Sequence, residues 1–76
     1  MTTYFAVNVH YNGYDETKDE LACKLGRKLG LEFDGGGAGF GIRELFFYAK
    51  NKTDGLNAVA EFEKAGLNAK YHAFNC

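Results

Sequence analysis

A chain of 76 residues with a formal net charge of −1 has room for one domain, spanning residues 1–76. It lacks the basic excess of a phosphate-backbone binder, so nucleic acid is the less expected partner. Seven Phe and five Tyr are more aromatic rings than so small a core can hold, so some must lie outside it. No run approaches the ~18–20 apolar residues of a membrane span, so no membrane partner is expected. The first apolar stretch, Tyr4–Val9, follows no basic segment and does not read as a secretory signal, so the expected compartment is the cytoplasm.

Tyr4 to Tyr11 reads as a strand, with Phe5, Val7 and Val9 on one face and Tyr4, Ala6, Asn8 and His10 on the other. Asn12-Gly13 ends it. Thr17 to about Leu29 reads as a helix, with capping-box spacing between Thr17 and Glu20 and an apolar stripe of Leu21, Leu25 and Leu29 widened by Ala22. Acidic residues (Asp15, Glu16, Asp19, Glu20) open this helix and basic ones (Lys24, Arg27, Lys28) close it, as the helix dipole favours, so these charges read as a solvated face. Gly30 stops it.

Leu31 to Asp34 begins a second strand, and the run Gly35 to Gly41 follows, with five glycines. It reads as a flexible or bulged hairpin connection. Ile42 to Lys50 is the third strand: Glu44, Phe46, Tyr48 and Lys50 share one parity, Leu45, Phe47 and Ala49 the other, so the charges put Phe46 and Tyr48 outside. Arg43 falls on the core side near the strand's start, where its head can still reach water. Thr53 caps a second helix to about Ala65, with Leu56, Val59, Ala60 and Phe62 as its stripe, and Gly66 ends it. In the fourth strand, Leu67 to about Asn75, Ala69, Tyr71 and Ala73 alternate with outward Lys70, His72 and Phe74.

The endings Leu29-Gly30-Leu31 and Ala65-Gly66-Leu67 echo each other, each leading from helix to strand. The pattern is α+β in βαββαβ order, the split arrangement called ferredoxin-like. A four-stranded antiparallel sheet of order 4-1-3-2 is expected, with two helices on one face because crossovers are right-handed.

Catalytic and metal-binding patterns are few. The glycine run misses GxGxxG, lacks the GK[ST] of a P-loop, and joins two strands instead of opening a helix. Its sharper reading is a mobile binding loop built from Gly37, Gly39, Phe40 and Arg43. Cys23 and Cys76 lack zinc-site spacing and read as free thiols. His10 and His72 share outward parity on strands expected to be neighbours, close enough in that reading to share a metal or a proton, but two histidines without a placed carboxylate or thiol make a weak metal site, and solvated side chains are the expected state. No catalytic residue, cofactor or metal is implied.

Three families of this topology offer comparison. Acylphosphatases are similar in strand order and use an arginine in the loop after the first strand; Tyr11-Asn12-Gly13-Tyr14 has none. Gly39-Phe40-Gly41 resembles three positions of the RNA-recognition signature, which implies stacking of single-stranded RNA bases. Asn12-Gly13 at the first strand-to-helix turn resembles the ACT type, which implies a small regulatory ligand. The residues themselves point to an uncovered sheet face bearing Tyr4, Asn8, His10, Phe46, Tyr48, Lys70, His72 and Phe74. The expected function is a non-enzymatic module binding another protein or a second copy of itself. An inhibitor or accessory protein fits, for example a phage-encoded antagonist of bacterial defence.

Overall fold

The computed structural model describes residues 2–76. Its elements run β1 (Thr3–Asn12), α1 (Glu16–Lys28), β2 (Glu32–Gly39), β3 (Ile42–Ala49), α2 (Lys52–Lys64) and β4 (Asn68–Asn75). The sheet order is β2-β3-β1-β4, which is 4-1-3-2 read from the other edge, and every neighbouring pair is antiparallel. The βαββαβ architecture read from the sequence is therefore the one observed. Among the described residues, no helix is long and apolar enough to cross a membrane.

Register assigns the two faces of the sheet. Val7 pairs with Phe47 and Tyr71, and Val9 with Leu45 and Ala69, all on the helix-covered face. Phe47, Phe62, Leu45, Val7 and Val9 are fully buried and form the centre of the core. The Phe47 ring meets Phe62 of α2 and Phe33 of β2, each at a centroid separation of 5.4 Å.

Ala22, Leu25 and Leu29 of α1 and Val59 and Phe62 of α2 pack on the core as their spacing predicts, but Leu21, Leu56 and Ala60 do not. Leu21 is 41% exposed and Leu56 46% exposed. The buried positions are Ala22 and Gly26 of α1, and Gly55, Ala58 and Phe62 of α2. Where α1 crosses Phe47 and α2 crosses Tyr71, the large group comes from the sheet and the helix meets it with glycine. A Cβ on Gly26 would lie 2.6 Å from Cε1 of Phe47, and one on Gly55 would lie 2.7 Å from Cε1 of Tyr71. Replacing glycine by alanine within a helix ordinarily gains up to ~1 kcal/mol. Gly26→Ala is expected to have the opposite sign, losing about 1–3 kcal/mol, because the Phe47 ring is wedged between α1 and Phe62. Urea melts check this; a gain in stability would show that the ring can step aside.

Both helix caps also differ from expectation. Asp15, not Thr17, caps α1, its carboxylate accepting from the Thr17 and Lys18 backbone N–H groups. Asn51, not Thr53, caps α2, its side-chain oxygen accepting from the Asp54 N–H at 2.8 Å. Each helix starts earlier than read, because the residue beside the strand already has the extended backbone and the side-chain oxygen that a cap requires.

The glycine run forms a bulged hairpin, as one of its two readings has it, but with most of its residues in the strand and only two in the turn. β2 pairs with β3 from Glu32 to Gly39, with a bulge between Phe33 and Gly35 that leaves Asp34 without a partner. Gly35 has φ +149, a conformation open to glycine and little else. The connection is the two-residue turn Phe40-Gly41, with φ 53 and 77, the paired positive angles of a type I′ hairpin. Such a turn makes Gly39 and Ile42 a hydrogen-bonded pair. Alternation then points the Gly37 backbone groups toward β3 and those of Gly36 and Ala38 toward the open edge. Hydrogen exchange is expected to be slower at Gly37 and Gly39 than at Gly36 and Ala38. Uniformly fast exchange along the run would restore the loop reading.

Candidate functional site: the open sheet face

The uncovered face is built by the residues that alternate with the core set. Tyr48, Ala6 and His72 form one row across β3, β1 and β4. Phe46, Asn8 and Lys70 form the next, and Glu44, His10 and Asn68 the one after. Tyr4 sits opposite Phe74 at the other end. All eight residues singled out on this face therefore lie on one side of the sheet.

Four of the rings converge. Tyr4 stacks on Phe74 at 5.3 Å with 21° between planes and lies 5.6 Å from Tyr48. Tyr48 and Phe74 are 6.4 Å apart, and His72 stacks on Phe74 at 5.8 Å. Ala6 lies between Tyr48 and His72 in register and is buried although no helix covers it, so the rings roof their own small residue. Phe46 stands apart from this cluster, in the row of Asn8 and Lys70. The Tyr48 hydroxyl donates to an oxygen of Asp34, the bulge residue, at 3.4 Å. Burial among the rings, followed by the Asp34 charge and hydrogen bond, holds this hydroxyl above the ordinary phenol pKa.

His10 and His72 do not come together. His10 pairs with Asn68 and His72 with Ala6, four residues apart along β1 or ~13 Å. Parity gave them a shared face but not a shared row. Among the described residues, no group of three or more histidine, cysteine, aspartate or glutamate side chains is arranged to hold a metal.

The set read as a loop divides. Gly37 and Gly39 are strand residues, and Phe40 projects from the hairpin tip fully exposed. Arg43 is on the helix side and is engaged there. Its Nε lies 3.1 Å from both Asp19 carboxylate oxygens, its Nη2 donates to Asp19 Oδ2 at 2.8 Å, and its Nη1 donates to the Gly37 carbonyl at 3.3 Å. The Tyr11 hydroxyl also bonds the Asp19 carboxylate and lies 2.9 Å from the Asp15 carbonyl. Tyr14 lies alongside, its ring centroid 5.5 Å from the guanidinium carbon.

Asp19 therefore does not belong to a solvated helix face. Arg43 sits on the core side, so whatever helix turn crosses it must supply an anion, and Asp19 and Arg43 keep only 15% and 19% of their side chains exposed. The hydrogen bonds from Arg43 hold the Asp19 carboxyl below its ordinary value, outweighing the opposing effect of burial. A depressed carboxylate contributes stability above its unfolded pKa, near 3.8, and loses it as pH falls through the folded value. Asp19→Asn is expected to destabilise by about 1–3 kcal/mol at neutral pH, with the gap to wild type closing in acid, as pH falls from the unfolded value near 3.8 through the lower folded one. Urea melts at neutral and acid pH check this; a gap independent of pH would remove the carboxylate from the account.

No protein-family model and no curated protein matches the sequence. The chain is similar to a solved structure described as the solution structure of the peptidoglycan binding domain of the B. subtilis cell wall lytic enzyme CwlC, with TM-score 0.58 and 16% sequence identity. The match covers 99% of this chain and 94% of that one, so the two share a fold over nearly their whole length.

Proposed function

We propose that this chain is a non-enzymatic binding module whose open sheet face is the contact surface. The observation that carries the reading is the convergence of Tyr4, Tyr48, His72 and Phe74 on the side without helices. A chain of this size gains nothing for its own core from four rings stacked outside it, whereas clustered exposed aromatics mark interfaces. The partner in this reading is another protein, held by the rings, with Asn8, His10, Lys70 and Glu44 as the polar surround. An inhibitor or accessory role follows from occupying that partner's surface.

A second reading is a glycan strand, favoured by the fold shared with a peptidoglycan-binding domain. Aromatic rings flanked by amide, imidazole and amine groups also suit the apolar faces and hydroxyls of sugars. Retention on purified peptidoglycan separates the two: a glycan binder sediments with it and a protein binder stays in solution. In either case Tyr48→Ser with Phe74→Ser is expected to weaken the interaction at least tenfold. Unchanged binding by that variant would overturn the proposal.

A further inference from the structure

A second surface lies on the opposite side of the molecule, between α1 and the edge strand β2. Two adjoining cavities, of about 450 and 260 Å³, share Cys23 and Arg27. The smaller is floored by Leu31, Phe33 and Phe47, and Phe33 remains 52% exposed although it points to the core side. The larger runs along α1 toward Tyr14. Beyond Phe33 the inward-facing positions of β2 are Gly36 and Ala38, and the space over Gly36 is taken by Arg43 Nη1 and Leu45 Cδ2, so the groove opens beside Phe33 and along α1.

The strand beside the groove is open. β2 pairs only with β3, and its outer edge faces solvent with the N–H and C=O groups of Gly36 and Ala38 directed outward. Charge along the groove is polarised. Glu16 and Glu20 stand at the Tyr14 end, and Lys24 and Arg27 toward the Phe33 end. Among the described residues none of these four takes part in an ion pair, since Asp19 alone on α1 is engaged, with Arg43.

We propose that this edge and groove form a docking site for an extended segment of a partner protein, which adds to the sheet as a fifth strand beside β2. The groove defines the segment's chemistry. The midpoints of the acidic and basic pairs on α1 are separated by ~11 Å, the length of three to four extended residues. Side chains facing the groove alternate along a strand. A segment running antiparallel to β2 therefore presents a basic residue to Glu16 and Glu20, an apolar residue two positions later over Cys23, where the two cavities join, and an acidic residue two further on to Lys24 and Arg27. This direction follows from the helix running antiparallel to β2: Arg27 shares a cavity with Leu31 and Phe33 at the strand's start, while Asp19 reaches through Arg43 to Gly37 near its end. The site is independent of the open sheet face.

The test is titration of the whole chain with a fluorescein-labelled heptapeptide whose lysine, leucine and glutamate occupy positions two, four and six between threonines. Anisotropy is expected to rise on binding, with amide shifts at Cys23, Arg27, Gly36 and Ala38. Arg27→Glu, an exposed helix position that leaves the fold untouched, is expected to weaken binding about tenfold, as is exchanging the peptide's lysine and glutamate. Ala38→Pro removes an outward N–H that β3 does not use and is expected to weaken binding at least as much. Tyr48→Ser with Phe74→Ser is expected to leave it unchanged. No binding at millimolar peptide, indifference to Arg27→Glu, or shifts at Tyr48 and His72 instead would overturn the proposal. So would dimerisation through β2, seen by sedimentation and lost in Ala38→Pro, since a second copy would then occupy the edge.

Discussion

Phe47→Ala is expected to cost about 3–5 kcal/mol, against a total stability of roughly 4–11 kcal/mol for a domain of this size. Phe47 is 2% exposed and central to the core. It pairs with Val7 in register, touches Phe33 and Phe62 through its ring, and fills the space left by Gly26. On the α1 side, Gly26 has no side chain that can move in after truncation, so the cavity stays open and the cost is at the upper end of the range. Denaturant melts with circular dichroism give the value. A loss below about 1 kcal/mol would mean that α1 collapses onto the sheet, and would undermine the argument that Gly26 is set by the size of that ring.

The second large effect concerns binding. Tyr48→Ser with Phe74→Ser removes both rings that meet Tyr4 and exposes Ala6 beneath them. Neither ring belongs to the helix-covered core, so the fold should survive. Binding should weaken by about 2–4 kcal/mol, roughly 30- to 1000-fold in Kd, the range of aromatic hot spots. Leu56→Ser, at an exposed position on α2, should change it by less than about threefold.

The sheet was legible from the chain because a strand's period of two leaves little choice once a charge is placed. Glu44 and Lys50 put Phe46 and Tyr48 outside, and the observed register agrees. The helices were less legible. Leucine spacing favoured a stripe through Leu21 and Leu56, yet both are exposed, because the sheet's large rings demand glycine and alanine opposite them. That demand is set between elements far apart in sequence, and no local pattern carries it. The same reason hid Asp19: its partner is 24 residues away on β3. A usable clue was present, since an arginine at core parity is stabilised by an anion on the element that crosses it. The glycine run was legible in part. A bulged hairpin was read and is present, but glycine's conformational freedom hid that it serves only one bulge and one type I′ turn, while the intervening residues pair as an ordinary edge strand.

The open face is the centre of the account, and one comparison tests it most directly. Wild-type chain, the Tyr48→Ser/Phe74→Ser variant and the Leu56→Ser variant are immobilised in parallel. Each is exposed to purified peptidoglycan fragments and to soluble bacterial protein, and the bound material is quantified. The account predicts one class retained equally by wild type and Leu56→Ser and lost from the double variant. Retention by the double variant at the wild-type level, with loss in Leu56→Ser, would contradict it and move the contact to the helix side.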